Sequence, residues 1–355
     1  MQRTNIEYLT HTWNPIAMRC TGVSEGCRNC WHIRMADRLA GNKAIKEAER
    51  KSYEGGFFAL REKELMAPLA TGSRKVIGVQ FMGDLFHPQI CFGETGWIDS
   101  ILTIAALCQE HTFILLTKRP DNMAGYYDED ALSVDRVSHE VGRLSAEHGW
   151  CSELEEWPIT NVWHGLTVCN QEEWDRKAVD FLRVPGKKFL SLEPLLGSIN
   201  LGVYGHRMGS PSGSIRGVID QVILGGETGA GARPMHPDWV RSVRDQCAAS
   251  GVSFFFKQWG YWQPVNQRDY VIDDETVKSP YKFLDPRTLV YRVGRKRAGR
   301  LLDDHEWDEL SWRKPLDIPK RLGYSSSNKK RRSTHEQKKN LDRVRHGQER
   351  REREV

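Results

Sequence analysis

The sequence predicts an α/β fold, a partial (β/α)6–7 barrel or a doubly wound sheet, with inserted helices and a basic C-terminal tail. Three observations predict it. Short apolar runs recur along the chain, stretches with helical spacing lie between them, and a polar residue follows nearly every run. With 39% hydrophobic and 28% charged residues, the composition is that of a globular protein and excludes a wholly disordered chain.

The first strand is expected in the short stretch Tyr8–Trp13. The following runs are Val76–Phe81, Phe113–Thr117, Val162–Val168, Lys188–Leu192, Val222–Leu224 and Val252–Phe256. Each is apolar throughout rather than alternating, as expected for strands buried on both faces of a parallel sheet. Between them, Trp97–Glu110, Gln171–Arg183 and Pro237–Ser250 have helical spacing, the last with Pro237 and Asp238 in its first turn and Gly251 at its end. Residues 41–72 and 121–158 interrupt the rhythm, are rich in charge and read as inserted helices or lids. The predicted domains are a barrel over 1–262, a β-rich extension packed on it over 263–322, and a basic flexible tail over 323–355. From Tyr324 to Val355 there are eleven Lys and Arg against five Asp and Glu, so the tail carries +6 of a net +5 and the rest of the chain about −1. Such a segment reads as disordered or as a solvated helix.

No apolar run approaches the roughly 20 residues of a membrane helix, and no signal-peptide core follows Met1. The expected setting is the cytoplasm, with no membrane partner. Eight cysteines do not make a disulfide framework in a chain of this length without a secretion signal. Cys108 and Cys247, beside alanines in helical patterns, read as small buried hydrophobes.

Cys20, Cys27 and Cys30 are different. They fall within eleven positions, directly after the first strand, with no evident fourth cysteine. Structural zinc and electron-transfer clusters generally take four protein ligands. Three cysteines around a [4Fe–4S] cluster leave one iron open to chelate the amino and carboxylate groups of S-adenosylmethionine (SAM), whose homolytic cleavage yields a hydrogen-abstracting 5′-deoxyadenosyl radical. Gly22 and Gly26 suit a loop wrapped closely around such a cluster. Trp31 could pack beside the adenine, and a helix over Ile33–Leu39 follows. A zinc knuckle with His32 or His11 as fourth ligand, or independent buried thiols, are the alternatives.

The polar residues after the runs are Asp84, Lys118-Arg119, Asn170, Glu193-Pro194, Gly225-Gly226-Glu227 and Lys257-Gln258-Trp259. In (β/α) barrels the reactive groups project from the C-terminal strand ends. Asp84 is a candidate for SAM's amino or ribose groups, or else a helix cap. Lys118 and Arg119 offer cations to a carboxylate or phosphate, or a surface ion pair. Glu193 is a candidate for the ribose or amine. Gly225, Gly226 and Glu227 form a glycine-rich turn that also suits cofactor binding. Lys257, costly to bury unpaired, joins Lys118 as a candidate catalytic cation. His87 and His236 read as structural.

Thr12-Trp13-Asn14-Pro15, the three cysteines, Met82–His87 (MGDLFH), Thr117–Pro120 (TKRP), Ser191–Gly197 (SLEPLLG), Gly225–Gly229 (GGETG), Ala232–Met235 (ARPM) and Phe255–Gly260 (FFKQWG) occur in order. Over residues 5–310 the chain thereby resembles a phage and bacterial family known as gene product 37/68, or domain of unknown function 5131. That family is in turn similar to radical SAM enzymes. The resemblance implies a barrel of radical SAM type, the cluster and SAM, and leaves the substrate open. Two features depart from the commonest radical SAM pattern: six rather than three residues separate the first two cysteines, and the Gly-Gly-Glu follows a late strand. The partners expected are an external electron donor, a nucleic-acid base or nucleotide substrate drawn by the basic tail, and a protein encoded nearby.

Overall fold

The computed structural model describes residues 1–93, 95–150, 153–202, 215–265 and 278–313. The basic tail, 323–355, and its expected disorder lie outside the described residues.

An eight-stranded sheet forms the centre. Its strands in spatial order are β1 (Gln2–Arg3), β2 (His11–Trp13), β5 (Val76–Val79), β6 (Thr112–Thr117), β7 (Val162–Thr167), β8 (Lys187–Leu192), β9 (Gln221–Gly225) and β10 (Ser253–Gln258). The edge strand β1 is antiparallel to β2; every later pair is parallel. Between β2 and β5, the short strands β3 (Ile16–Ala17) and β4 (Ala59–Leu60) pair with each other. Among the described residues the outer strands β1 and β10 do not pair, so the sheet is open.

The parallel strands lie side by side in sequence order. Right-handed crossovers then place the connecting helices on one face, and the core follows that rule. Alternate strand residues such as Leu115, Leu190, Val222 and Phe254 pack with α5 (Trp97–Leu107), α7 (Ser133–His148), α8 (Gln171–Arg183) and α9 (Pro237–Ser250). The intervening residues Ile114, Trp163, Phe189, Ile223 and Phe255 point to the other face and form a second core with Tyr8, Leu310 and Trp312. Trp312 packs edge-on against Tyr8, Trp163 and Phe189, and its indole N–H donates to Tyr8 O at 3.2 Å.

Local chemistry explains the boundaries. β5 stops before Gln80, which takes a left-handed φ of 53° and spends its amide on Ile16 N–H and C=O. Asn170 caps α8 by accepting from Glu173 N–H at 2.9 Å. Pro237 opens α9 and Gly251, with φ 67°, closes it. The inserted stretches hold α2 (Glu47–Glu54), α3 (Glu62–Leu65), α6 (Pro120–Tyr127) and α7. Beyond the main sheet, β11 (Trp262–Pro264), β13 (Thr288–Arg292) and β12 (Tyr281–Asp285) make an antiparallel sheet in that order. No helix among the described residues is long and apolar enough to cross a membrane.

Candidate functional site

The C-terminal ends of the parallel strands carry the polar residues, and the cysteine segment lies on them. Asp84, beyond β5, is buried and accepts from Thr117 Oγ1 (2.7 Å), Phe86 N–H (3.1 Å), Lys118 N–H (3.1 Å) and Arg119 Nη1 (2.8 Å). It therefore joins the tips of β5 and β6 and aims Arg119. The guanidinium spends its other nitrogen on the carbonyl (2.8 Å) and hydroxyl (2.9 Å) of Thr21, and its Nη1 also lies 3.8 Å from Cys20 Sγ. Thr21 Oγ1 meets His87 Nε2 at 2.9 Å. Burial and the nearby Asp84 push the Cys20 thiol up to about 11, against the opposing pull of Arg119.

The next turn of the segment sits on β6, β7 and β8. A methyl group on Gly26 would lie 2.4 Å from Cys169 Sγ, 3.3 Å from Pro194 Cδ and 3.4 Å from Lys118 Nζ, so only glycine admits this approach. Among the described residues the buried Lys118 ammonium has no hydrogen-bond partner. Cys27 follows Gly26; burial acts to raise its thiol pKa. The Lys118 charge and hydrogen bonds from the Val23–Ser24 region outweigh burial and hold it below the usual thiol value. Cys30 occupies the N-cap of α1 (Trp31–Ala40), and Trp31 is 48% exposed beside it.

The β9 tip holds the segment from the other side. Glu227 grips Arg233 through both carboxylate oxygens (2.7 and 2.9 Å) and accepts from its backbone N–H at 2.8 Å. Arg233 reaches Glu25 O at 3.0 Å, and Asn29 Nδ2 donates to Gly231 O at 2.8 Å. Burial works to raise the Glu227 pKa, but the hydrogen bonds from Arg233 keep it lowered. Gly226 allows β9 to pass against the β10 end, where any side chain would strike Trp259 O.

Glu193, after β8, and Lys257, on the outer strand β10, make a separate group. Lys257 Nζ lies 2.7 and 2.9 Å from the two Glu193 oxygens and 5.6 Å from the Tyr8 ring centre. Gly225 packs beside Glu193, within 3.3 Å of Oε1 if it bore a Cβ. The cations expected to be catalytic thus have different surroundings: Lys257 is paired, whereas Lys118 faces the cysteine segment.

The structure joins Asp84, Lys118 and Glu227 to Cys20, Cys27 and Cys30, and gathers Glu193, Gly225 and Lys257 into the neighbouring group. Trp31 stands at the rim. Among the described residues, no set of three or more His, Cys, Asp or Glu side chains is arranged to hold a metal ion. The donor chemistry nonetheless fits a thiolate-held anionic cluster. Three free thiols lie on one glycine-bearing segment, whose Gly26 packs beside a buried ammonium without a hydrogen-bond partner among the described residues. His32, named in the zinc alternative, meets Cys20 N–H through Nε2 at 3.2 Å, and burial lowers its pKa to about 4, which keeps the ring neutral. His11 lies in β2 opposite Arg3 of the edge strand.

Three residues of this site are not named as candidates by the sequence. Cys169 is isolated in sequence, and its position directly after a strand, like that of Asp84 and Lys118, is the available signal. Arg233 lies in the ARPM motif, whereas Thr21 carries no signal. Arg119, expected as a cation beside Lys118, is the side chain that holds the segment. His87 and His236 accept from Gln89 N–H and Asp238 N–H through Nδ1, and their Nε2 atoms meet Thr21 Oγ1 and Asp285 Oδ2.

The family model described as protein of unknown function (DUF5131) matches residues 3–311. The chain belongs to this family. No curated protein and no solved structure matches it. Family membership therefore fixes relationship without fixing activity, and chemistry must be argued from the strand tips.

Proposed function

We propose that the chain is a radical SAM enzyme whose Cys20, Cys27 and Cys30 hold a [4Fe–4S] cluster. The observation that carries this reading is the seating of a three-cysteine segment over the unpartnered Lys118 ammonium at the C-terminal strand ends. The sequential order of seven parallel strands supports a partial (β/α) barrel of radical SAM type, where strand tips bear the chemistry. When bound, the cluster would supply the electron that cleaves SAM.

The protein's own part is positioning. Arg119 fixes the Cys20–Thr21 end of the segment, and Arg233 with Asn29 fixes the Glu25–Asn29 end. Lys118 supplies a positive charge beside Cys27 and favours the ionised form of that thiol. Lys118 is assigned to the cluster or to SAM's carboxylate. Trp31 is assigned to the adenine side, and Asp84 and Glu227 act through the arginines they hold. Gly225 and Gly226 keep the tip of β9 open to close approach. Glu193 and Lys257 form the polar floor on which the cofactor's amine or the substrate would rest. An external electron donor is required, a protein encoded nearby is a proposed partner, and the reducing cytoplasm is the proposed setting. The expected substrate, a nucleic-acid base or nucleotide, rests on the charge of the tail.

Reductive cleavage of SAM tests the reading. Anaerobically reconstituted protein with dithionite should release 5′-deoxyadenosine, and Cys27→Ala should abolish it. Retained release in Cys27→Ala would remove the cysteine segment from the reaction.

A further inference from the structure

The small sheet beyond the main fold has an outer face that the proposed chemistry does not use. Tyr281 and Phe283 alternate on β12 and are 62% and 59% exposed. Their ring centres are 6.2 Å apart, and Tyr291, opposite Tyr281 on β13, is 6.0 Å from it. The inner face is set by Pro264 and Val290, a buried pair in register. Period-two alternation thus directs one apolar set inward and an aromatic set into water.

The described stretch that carries β12 and β13 is basic. Between Lys278 and Arg300 there are eight Lys and Arg and a single acid, Asp285. That acid is engaged, its Oδ2 lying 2.6 Å from His236 Nε2. Lys278, Arg295 and Lys296 are exposed, whereas Lys282 alternates with the two rings onto the Val290 face. The sheet also adjoins the strand tips. Arg292 Nη2 donates to Gly229 O (3.2 Å) and Ala230 O (2.8 Å), in the loop whose Gly231 O accepts from Asn29 of the cysteine segment.

We propose that the outer face of the β11–β13–β12 sheet binds single-stranded nucleic acid, stacking bases on Tyr281 and Phe283 while the flanking cations meet the phosphates. Exposed rings set among basic residues are the pattern such ligands need: the π-faces take any unpaired base, and the charges follow the backbone. A duplex keeps its base faces stacked inside and cannot use the rings. A protein partner would want the core of its interface depleted of charge, which this surface is not. The proposal holds whether or not the radical reading does. If both hold, a strand on this platform leads to the loop that clamps the cysteines.

The test is fluorescence anisotropy of the full-length chain with a labelled oligothymidylate of about 20 nucleotides, an RNA of the same length and a blunt duplex. Single strands should bind with an affinity that falls as salt rises. Tyr281→Ala/Phe283→Ala should weaken that binding about tenfold or more and leave duplex binding unchanged, whereas Phe283→Trp should retain it. Fluorescence of 2-aminopurine placed in the strand should be altered on binding by the wild-type chain, and not by the double-alanine variant. Lys278→Glu/Lys296→Glu should flatten the salt dependence. The basic tail is present in every variant, so its charges contribute alike. Both aromatic side chains are more than half exposed, so an unchanged melting temperature is expected and confirms that the variant folds. Absence of single-strand binding, wild-type affinity in the double-alanine variant, or equal loss on single strand and duplex would each overturn the proposal.

Discussion

A methyl group on Gly26 would press on Cys169 Sγ at 2.4 Å, with Pro194 and Lys118 close behind. Gly26→Ala should therefore lift the cysteine segment off the strand tips. The expected effects are a destabilisation of about 1–3 kcal/mol and a marked loss of iron bound after reconstitution. Because the nearest obstacle is a single sulfur, Gly26→Ala/Cys169→Ala should regain most of both. Melting temperature and iron content read the two effects together; a double variant no better than the single one would place the crowding elsewhere. Cys169 also shows how a site hides from sequence. Alone it is an isolated cysteine, and only the parallel pairing of β6, β7 and β8 brings its sulfur beside Gly26.

The loop after β9 is a clamp, and its strength is electrostatic. Glu227 holds Arg233, and Arg233 holds the turn at Glu25. The folded-state pKa of Glu227 is lower than its unfolded value. Its contribution is therefore fully present above the unfolded pKa and is lost as pH falls through the folded one. Glu227→Gln should lower the melting temperature near neutral pH, and the gap from wild type should close as pH drops below about 4. Melting curves at a series of pH values measure this; a gap independent of pH would mean that charge is not what the clamp uses. The sequence exposed the elements better than their contacts. Every apolar run became a strand within a few residues, since buried parallel strands are apolar from end to end, and helices α8 and α9 matched to the residue because Asn170, Pro237 and Gly251 mark their ends. The partners of Glu227 and Asp84 were not legible. Arg233 is six residues from Glu227, and Arg119 is thirty-five from Asp84, and nothing local distinguishes them from other arginines.

At the scale of the whole molecule, the sheet has a helix-covered face and a second face filled by one large residue from most strands. Trp312 closes that second face against Tyr8, Trp163 and Phe189, although it is about three hundred residues from Tyr8 in sequence. Trp312→Ala should destabilise the protein by about 3–5 kcal/mol and leave iron binding per folded molecule intact, because the tryptophan contacts the core and not the cysteine segment. Chemical denaturation with iron quantification checks both halves. The α/β class was legible from the alternation of runs and helices; the strand order was not, since that alternation suits a barrel and a doubly wound sheet alike, nor was the Trp312 plug, since an isolated tryptophan near a charged tail carries no pattern. The measurement that bears most directly on the central claim is anaerobic purification followed by iron, sulfide and zinc quantification with an absorption spectrum. The account predicts about four irons and four sulfides per chain, with a brown absorption bleached by dithionite and lost in Cys27→Ala. Stoichiometric zinc without iron, even after attempted reconstitution, would contradict it.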